Sequence, residues 1–182
     1  MTTTARSLRS ALSNTARRSR RELSNTTRHA LGVIVAIVLV VGGGVTAAAQ
    51  PAPTVPVLTG IRTGQHPGFD RIVLDLSGPA PTVTGRWTDE LVTDGSGEVF
   101  WLTGEFFAEV VSTPAAAHDT AGNPTYLGPQ RFRTRDLRNV MAVGINGDFE
   151  GYLSVGLGTR TQTWVRVSTL TSPTRVVIDV GV

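Results

Sequence analysis

From Val57 to the C-terminus, apolar and polar residues alternate frequently, and in no window do apolar residues repeat at helical spacing. This alternation limits the fold more than any other feature. Arg71-Ile-Val-Leu-Asp-Leu76 sets Ile72, Leu74 and Leu76 on one side and Arg71, Val73 and Asp75 on the other. Tyr152–Leu157 directs Leu153, Val155 and Leu157 inward, and Trp164–Ser168 and Arg175–Val180 alternate likewise. Further strands are predicted at 57–63, 82–87, 98–103, 105–111 and 139–145. Turn chemistry separates them: His66-Pro67-Gly68, Ser77-Gly78-Pro79, Asp94-Gly95-Ser96-Gly97, Asn146-Gly147 and Gly158-Thr159. Pro67-Gly68 suits a type II turn, since proline presets the first central angle and glycine accepts a positive φ at the second. One stretch departs from the pattern. Thr113-Pro114-Ala-Ala-Ala117-His118-Asp119 has a capping residue, a proline at the first helical position and three helix formers. It predicts one short helical turn, then an irregular loop through Gly128. Many short strands with frequent turns indicate a β-sandwich or a partly open barrel. The expected fold is all-β: a single β-sandwich domain of short antiparallel strands over 57–182.

Two of these strands match position for position. Residues 71–76 (RIVLDL) and 175–180 (RVVIDV) both read Arg, β-branched, Val, aliphatic, Asp, aliphatic. If they pair antiparallel, one register sets Arg71 opposite Asp179, Val73 opposite Val177 and Asp75 opposite Arg175. Opposite charges then share one face while Ile72, Leu74, Val176 and Ile178 bury on the other.

Charge is divided sharply along the chain. All 17 basic side chains are arginine, and there is no cysteine. Residues 1–49 hold seven arginines against Glu22, a net of +6; residues 50–182 hold ten against thirteen acids, a net of −3. The basic excess therefore belongs to the leader, and a nucleic-acid partner is not expected. Without thiols there is no disulfide framework, thiol catalysis or thiolate metal site. Residues 1–29 read as a basic cytoplasmic region and 30–49 as an uncharged apolar segment ending in Ala47-Ala48-Ala49. That segment is either the core of a secretory signal cut before Gln50 or an uncleaved anchor. As a helix it would reach roughly 30 Å, enough to contact the membrane through its whole hydrocarbon core. Either way the positive-inside rule sends residues 50–182 outward, so an extracytoplasmic location is expected. Ser19-Arg20-Arg21-Glu22-Leu23 leaves the export route open between the general and twin-arginine pathways. Gln50-Pro-Ala-Pro-Thr-Val-Pro56 is a proline-rich linker of extended geometry.

At the matched strands the sequence resembles a known family. Arg71-Ile-Val-Leu-Asp-Leu76 followed by Ser77-Gly78-Pro79, and the closing Ser172-Pro173-Thr174-Arg175-Val-Val-Ile-Asp179, resemble the AMIN domain, the amidase N-terminal module of bacterial envelope proteins. Closer still is the AMIN-like domain of exported proteins from high-GC Gram-positive bacteria. Its pattern is similar to Arg62-Thr-Gly-Gln-His66-Pro-Gly-Phe69-Asp70-Arg71, to His118-Asp119 with a Gly-Pro beyond, and to Gly147-Asp148-Phe149-Glu150-Gly151. The resemblance covers residues 57–182 and implies a β-sandwich outside the membrane, associated with cell-wall binding or envelope localisation. Lipid-anchored relatives carry a lipobox cysteine, which this chain lacks. The family supplies no catalytic or ligand motif, so no site residue is carried over.

The residue inventory argues against an enzyme. No Gly-x-Ser-x-Gly occurs, and the exported domain has only His66 and His118. Those two with Asp119 are a conceivable zinc set, but loop histidines more often serve turns and hydrogen bonds, and no metal or other cofactor is expected. Asp148 and Glu150 are read as a turn acid and a register-fixing acid around an Asn146-Gly147 bend. Asp94-Gly95-Ser96-Gly97-Glu98 lacks the alternating oxygens of a calcium loop and is read as a hairpin turn. The binding candidates are Arg131, Arg133 and Arg135, a row of forked donors on one face if the segment is extended. They suit the carboxylates and phosphates of wall polymers; the competing reading is a solvated edge strand whose charges discourage pairing. Trp87, Trp101 and Trp164 would stack on sugar rings if exposed together, though tryptophans in a domain of this size more often complete the core. The expected partner is a cell-wall polymer, peptidoglycan or wall glycan, bound without catalysis. The alternative is a tethered protein–protein interaction domain of an envelope complex.

Overall fold

The computed structural model describes residues 54–182. The expectations for residues 1–29, for 30–49 and for the start of the linker lie outside the described residues. Among the described residues nine strands form: β1 (Val57–His66), β2 (Phe69–Ser77), β3 (Thr82–Thr88), β4 (Phe106–Thr113), β5 (Arg131–Arg133), β6 (Val140–Phe149), β7 (Tyr152–Thr159), β8 (Val165–Leu170) and β9 (Arg175–Gly181). They make two antiparallel sheets, ordered β1-β2-β9-β8 and β3-β4-β7-β6-β5.

The matched strands pair as the repeat predicts, with Arg71 opposite Asp179, Val73 opposite Val177 and Asp75 opposite Arg175. One side of this pair, Ile72, Leu74, Val176 and Ile178, is fully buried. It packs in one core cluster with Val110 of β4, Val143 of β6, and Leu153, Val155 and Leu157 of β7. A register slip of one residue would turn these side chains to solvent, so apolar burial holds the alignment. Arg71 makes the expected bidentate pair with Asp179, at 2.7 and 2.8 Å. Asp75 differs: its carboxylate is taken by Arg62 of β1, at 2.6 and 2.7 Å, and not by Arg175 across the strand.

The β1–β2 hairpin turns at Pro67-Gly68, with Gly68 at φ 85°, as the type II turn requires. The β6–β7 hairpin turns four residues later than the expected Asn146-Gly147 bend. Those residues lie inside β6 at an irregularity in its pairing, and Glu150 and Gly151, both at positive φ, form the two-residue turn. Gly158-Thr159, also read as a turn, ends β7.

Two other expectations are overturned. No helical turn forms at 113–119, and no helix occurs among the described residues. The amides that a helix would use are taken by other segments. Ala115 N–H donates to Gly151 O, Ala116 N–H to Pro56 O and Ala117 N–H to the Asp148 carboxylate. Ala115 and Ala116 are buried, so helical propensity yields to these partners. Nor does a strand form at 98–103. Val99 bridges Val92 across the tight Asp94–Gly97 turn, and Phe100 then points down onto the second sheet.

This β3–β4 connection, residues 89–105, is a flap over the outer side of the five-stranded sheet. The strands beneath are cleared by glycine. A Cβ on Gly156 would stand 2.5 Å from Leu91, one on Gly144 would stand 2.7 Å from Phe100, and one on Gly158 would collide with the Thr103 carbonyl. Leu91 and Phe100 are buried there. That sheet is therefore covered on both sides, and β7 is buried at every residue after Tyr152. Among the described residues nothing covers the outer side of the four-stranded sheet in this way, which leaves it a broad open face.

Candidate functional site

Alternation along β1, β2, β9 and β8 dictates what this open face displays. The pairing registers set its side chains in rows across the strands. The first row runs His66, Phe69, Gly181 and Trp164. The His66 and Phe69 rings are stacked, 4.9 Å apart at an interplanar angle of 5°, and the Phe69 and Trp164 rings are tilted at 6.2 Å. Gly181 is needed between them, because a Cβ there would stand 2.6 Å from the indole nitrogen of Trp164. Trp164 is 46% exposed, while His66 and Phe69 are half-buried. The second row brings Arg71, Asp179 and Arg166 alongside. Arg71 lies 5.1 Å over Phe69 and Arg166 lies 5.3 Å over Trp164. Beyond them Val73 and Val177 floor a shallow trough of about 280 Å³, with Arg62 and Arg175 on its borders. Aromatic faces flanked by guanidinium groups suit sugar rings that carry anionic substituents.

A buried polar network holds the backbone that presents the first row. Asp70, fully buried next to Phe69, accepts N–H bonds from Arg138, Asn139 and Val140 at 3.2, 2.6 and 3.0 Å. The Asn139 amide donates to Gly181 O at 2.7 Å and Thr161 O at 3.1 Å. Its oxygen accepts from the backbone N–H groups of Arg160 and Thr161. Thr163 Oγ1 donates to the same Gly181 carbonyl at 2.9 Å. One end of the sandwich is thereby tied across both sheets, directly behind Phe69, Gly181 and Trp164.

The charges of the face are largely settled by their ion pairs. The Arg62 guanidinium holds the Asp75 carboxyl below the usual carboxylate range, against the opposing effect of partial burial. Arg166 and Arg175 have no carboxylate partner among the described residues; Arg175 Nε donates only to Pro173 O.

The three arginines proposed from sequence are only partly aligned. β5 is an edge strand of three residues, so Arg131 and Arg133 project together while Arg135 falls in the turn beyond. Arg131 is engaged internally, 4.4 Å over the Phe100 ring and donating to the Trp101 carbonyl at 3.0 Å. These residues border the flap, not the open sheet. The tryptophans are dispersed as well. Trp87 packs against the core and donates to Thr163 O, Trp101 stands 77% exposed on the flap, and Trp164 joins the aromatic row. What sequence reasoning missed was the row itself. Its signal was present in the Pro67-Gly68 turn, which sets His66 opposite Phe69, and in the matched strands, which fix Gly181 opposite Phe69.

His118 and Asp148 form a second constellation, with Nδ1 and Oδ2 2.8 Å apart. The other Asp148 oxygen accepts the Ala117 N–H, so this acid clamps the 113–128 segment. The dyad edges a cleft of about 520 Å³ with Tyr126, Leu127 and Gln130. Burial raises the Tyr126 hydroxyl above its ordinary pKa, so it stays a neutral donor. Asp119 is occupied by Asn123 and Ala121, and His66 belongs to the aromatic row. The conceivable zinc set is thus not assembled. No group of three His, Cys, Asp or Glu side chains among the described residues is placed to hold a metal.

The family model of the AMIN-like domain matches residues 56–182, spanning the entire sandwich from the start of β1. The chain belongs to the AMIN-like domain family. No curated protein and no solved structure is matched by the chain. AMIN-like domains are typically extracytoplasmic modules associated with the cell envelope and generally non-catalytic.

Proposed function

We propose that this AMIN-like domain is a non-catalytic binding module that holds a cell-wall polymer, peptidoglycan or wall glycan, against the open face of its four-stranded sheet, outside the cytoplasmic membrane. The observation that carries the reading is the His66–Phe69–Trp164 row with Arg71 and Arg166 over its rings. Rings fixed on a rigid sheet lose little conformational freedom on binding, and ring-stacking with cation contacts tolerates a repetitive ligand. Arg131, Arg133 and Arg135 enter the proposal as a subordinate anion contact at the flap border, since Arg131 is already committed to Phe100 and Trp101. The test is sedimentation of the protein with isolated cell walls. Phe69→Ala with Trp164→Ala is expected to weaken the association at least about tenfold, as losing central aromatic anchors does. Replacing the three β5-side arginines is expected to cost about twofold. Full binding by the aromatic double variant, with its unfolding temperature unchanged, refutes the reading.

A second reading, a tethered protein–protein interaction domain, is favoured by the 77% exposure of Trp101 beside Arg131. Exposed Trp and Arg are the residue types that anchor protein interfaces. It predicts no wall association but a defined envelope partner crosslinked through position 101.

A further inference from the structure

Resting on the wall-binding reading, we infer that the polymer held by this face is polyanionic, a sugar chain bearing phosphodiester or carboxylate groups, and not a neutral glycan. Four guanidinium groups, Arg62, Arg71, Arg166 and Arg175, share this face with two carboxylates, Asp75 and Asp179, a net of +2. Each carboxylate is taken by one bidentate fork, Arg62 on Asp75 and Arg71 on Asp179. Two forks remain open. Arg166 lies along the Trp164 ring in the second row, and Arg175 stands opposite Leu170 in the fourth. Four residues of strand separate them, roughly 14 Å, with the apolar floor of Val73 and Val177 between. A neutral polysaccharide would offer no anion to Arg166 beside the Trp164 ring, nor to Arg175, which stands opposite Asp75 while Arg62 holds that carboxylate. A chain carrying anions at intervals meets them with the planar, two-pronged geometry that guanidinium offers to phosphate and carboxylate.

The rest of the sandwich strengthens this polarity. The flap on the opposite side, residues 89–105, carries Asp89, Glu90, Asp94, Glu98 and Glu105 and no basic residue. Residues 50–182 bear a net of −3, so the open sheet, with its net of +2, attracts a polyanion that the domain's overall charge does not. Such a distribution orients the module, with the open sheet toward the polymer and the flap away. An anionic lipid surface would also satisfy the arginines. The His66 and Phe69 rings, however, are half-buried and packed on each other, so they do not protrude as a wedge that could insert between acyl chains.

The test measures binding of the purified full chain, parent and Arg166→Gln/Arg175→Gln, to three probes. These are isolated cell walls, the same walls stripped of phosphodiester-linked polymer by hydrofluoric acid and amidated at their carboxylates, and vesicles of equal parts phosphatidylglycerol and phosphatidylcholine. The basic leader is common to parent and variant, so their difference reports on the face alone. The expected result is binding to intact walls that weakens about tenfold for the variant, together with at least that loss for the parent on treated walls, where the variant loses no more than the about twofold carried by the arginines beside β5. The parent's affinity for intact walls should also fall steadily with added salt, and less steeply in the variant. Equal binding of parent and variant to both wall preparations, still abolished by Phe69→Ala/Trp164→Ala, overturns the polyanion and leaves the wall-binding reading standing. A parent–variant difference seen on vesicles but not on walls overturns it in favour of a lipid surface. Failure to bind either wall preparation overturns both.

Discussion

Replacing Asp70 probes the frame behind the aromatic row. In Asp70→Ala three backbone donors lose their acceptor. Those of Asn139 and Val140 belong to buried residues, whereas Arg138 is exposed and its N–H can turn to water. Two stranded buried donors cost about 1–3 kcal/mol each, and the volume left by the carboxylate adds to this, for a total of about 3–5 kcal/mol. Asp70→Asn is gentler. Its carbonyl oxygen can keep the Asn139 and Val140 bonds, leaving the amide nitrogen to face the solvent-accessible Arg138 N–H, at about 1–2 kcal/mol including the lost charge. In urea, with a slope near 1.5 kcal/mol per molar for a domain of this size, the alanine variant should unfold about 2–3 M earlier and the asparagine variant about 1 M earlier. Because Asp70 and the Asn139 amide act in one network, Asp70→Ala with Asn139→Ala should cost less than the two single changes together. An alanine variant within about 0.5 kcal/mol of the parent, or one no worse than asparagine, would show that the carboxylate does not organise this end of the sandwich.

Gly158→Ala should drive a Cβ into the Thr103 carbonyl and lift the flap, at about 2–4 kcal/mol in denaturant unfolding and with faster protease cleavage within 89–105. Asp94 is pushed above its usual value of 3.8 by burial first and then by Glu109 and Asp148. The folded state therefore prefers it protonated, and that preference is lost as pH rises from the ordinary carboxylate range through the raised value. Asp94→Asn should match the parent at pH 4 and be the more stable by up to about 1 kcal/mol at pH 7, measured by urea midpoints. Arg131→Ala should loosen the flap by about 1 kcal/mol through loss of its contact with Phe100, and should alter Trp101 emission. A stability unchanged by that substitution would return Arg131 to the set of free ligand-binding arginines.

The two-period pattern made most of the architecture legible, because a half-buried strand writes its inward face into the sequence. Residues 71–76 and 175–180 went further and specified a register, since only one alignment satisfies both their charges and their apolar faces. Where the pattern misled, distant partners decided. Pro114 and the alanines after it suggested a helix, yet the acceptors for their amides come from Pro56, Asp148 and Gly151. The flap was illegible for a related reason: Leu91 and Phe100 are buried by glycines some forty to seventy residues away, and no local pattern announces that. The arginine row at 131–135 looked continuous in sequence because nothing local marks β5 as only three residues long. The aromatic row was divided among β1, β2 and the residue before β8, and became visible only once the strand order was known.

Glycine beneath the flap has a consequence for how such a module can change. On that side Gly144, Gly156 and Gly158 admit no larger residue without displacing Leu91, Phe100 or the chain at Thr103. Across the sandwich, positions such as Ser168, Arg166 and Leu170 point into solvent, where substitution perturbs little of the interior. The domain thus separates an immutable back from a rewritable front. The surface of that front can be altered, in the laboratory or by descent, without renegotiating the scaffold that displays it.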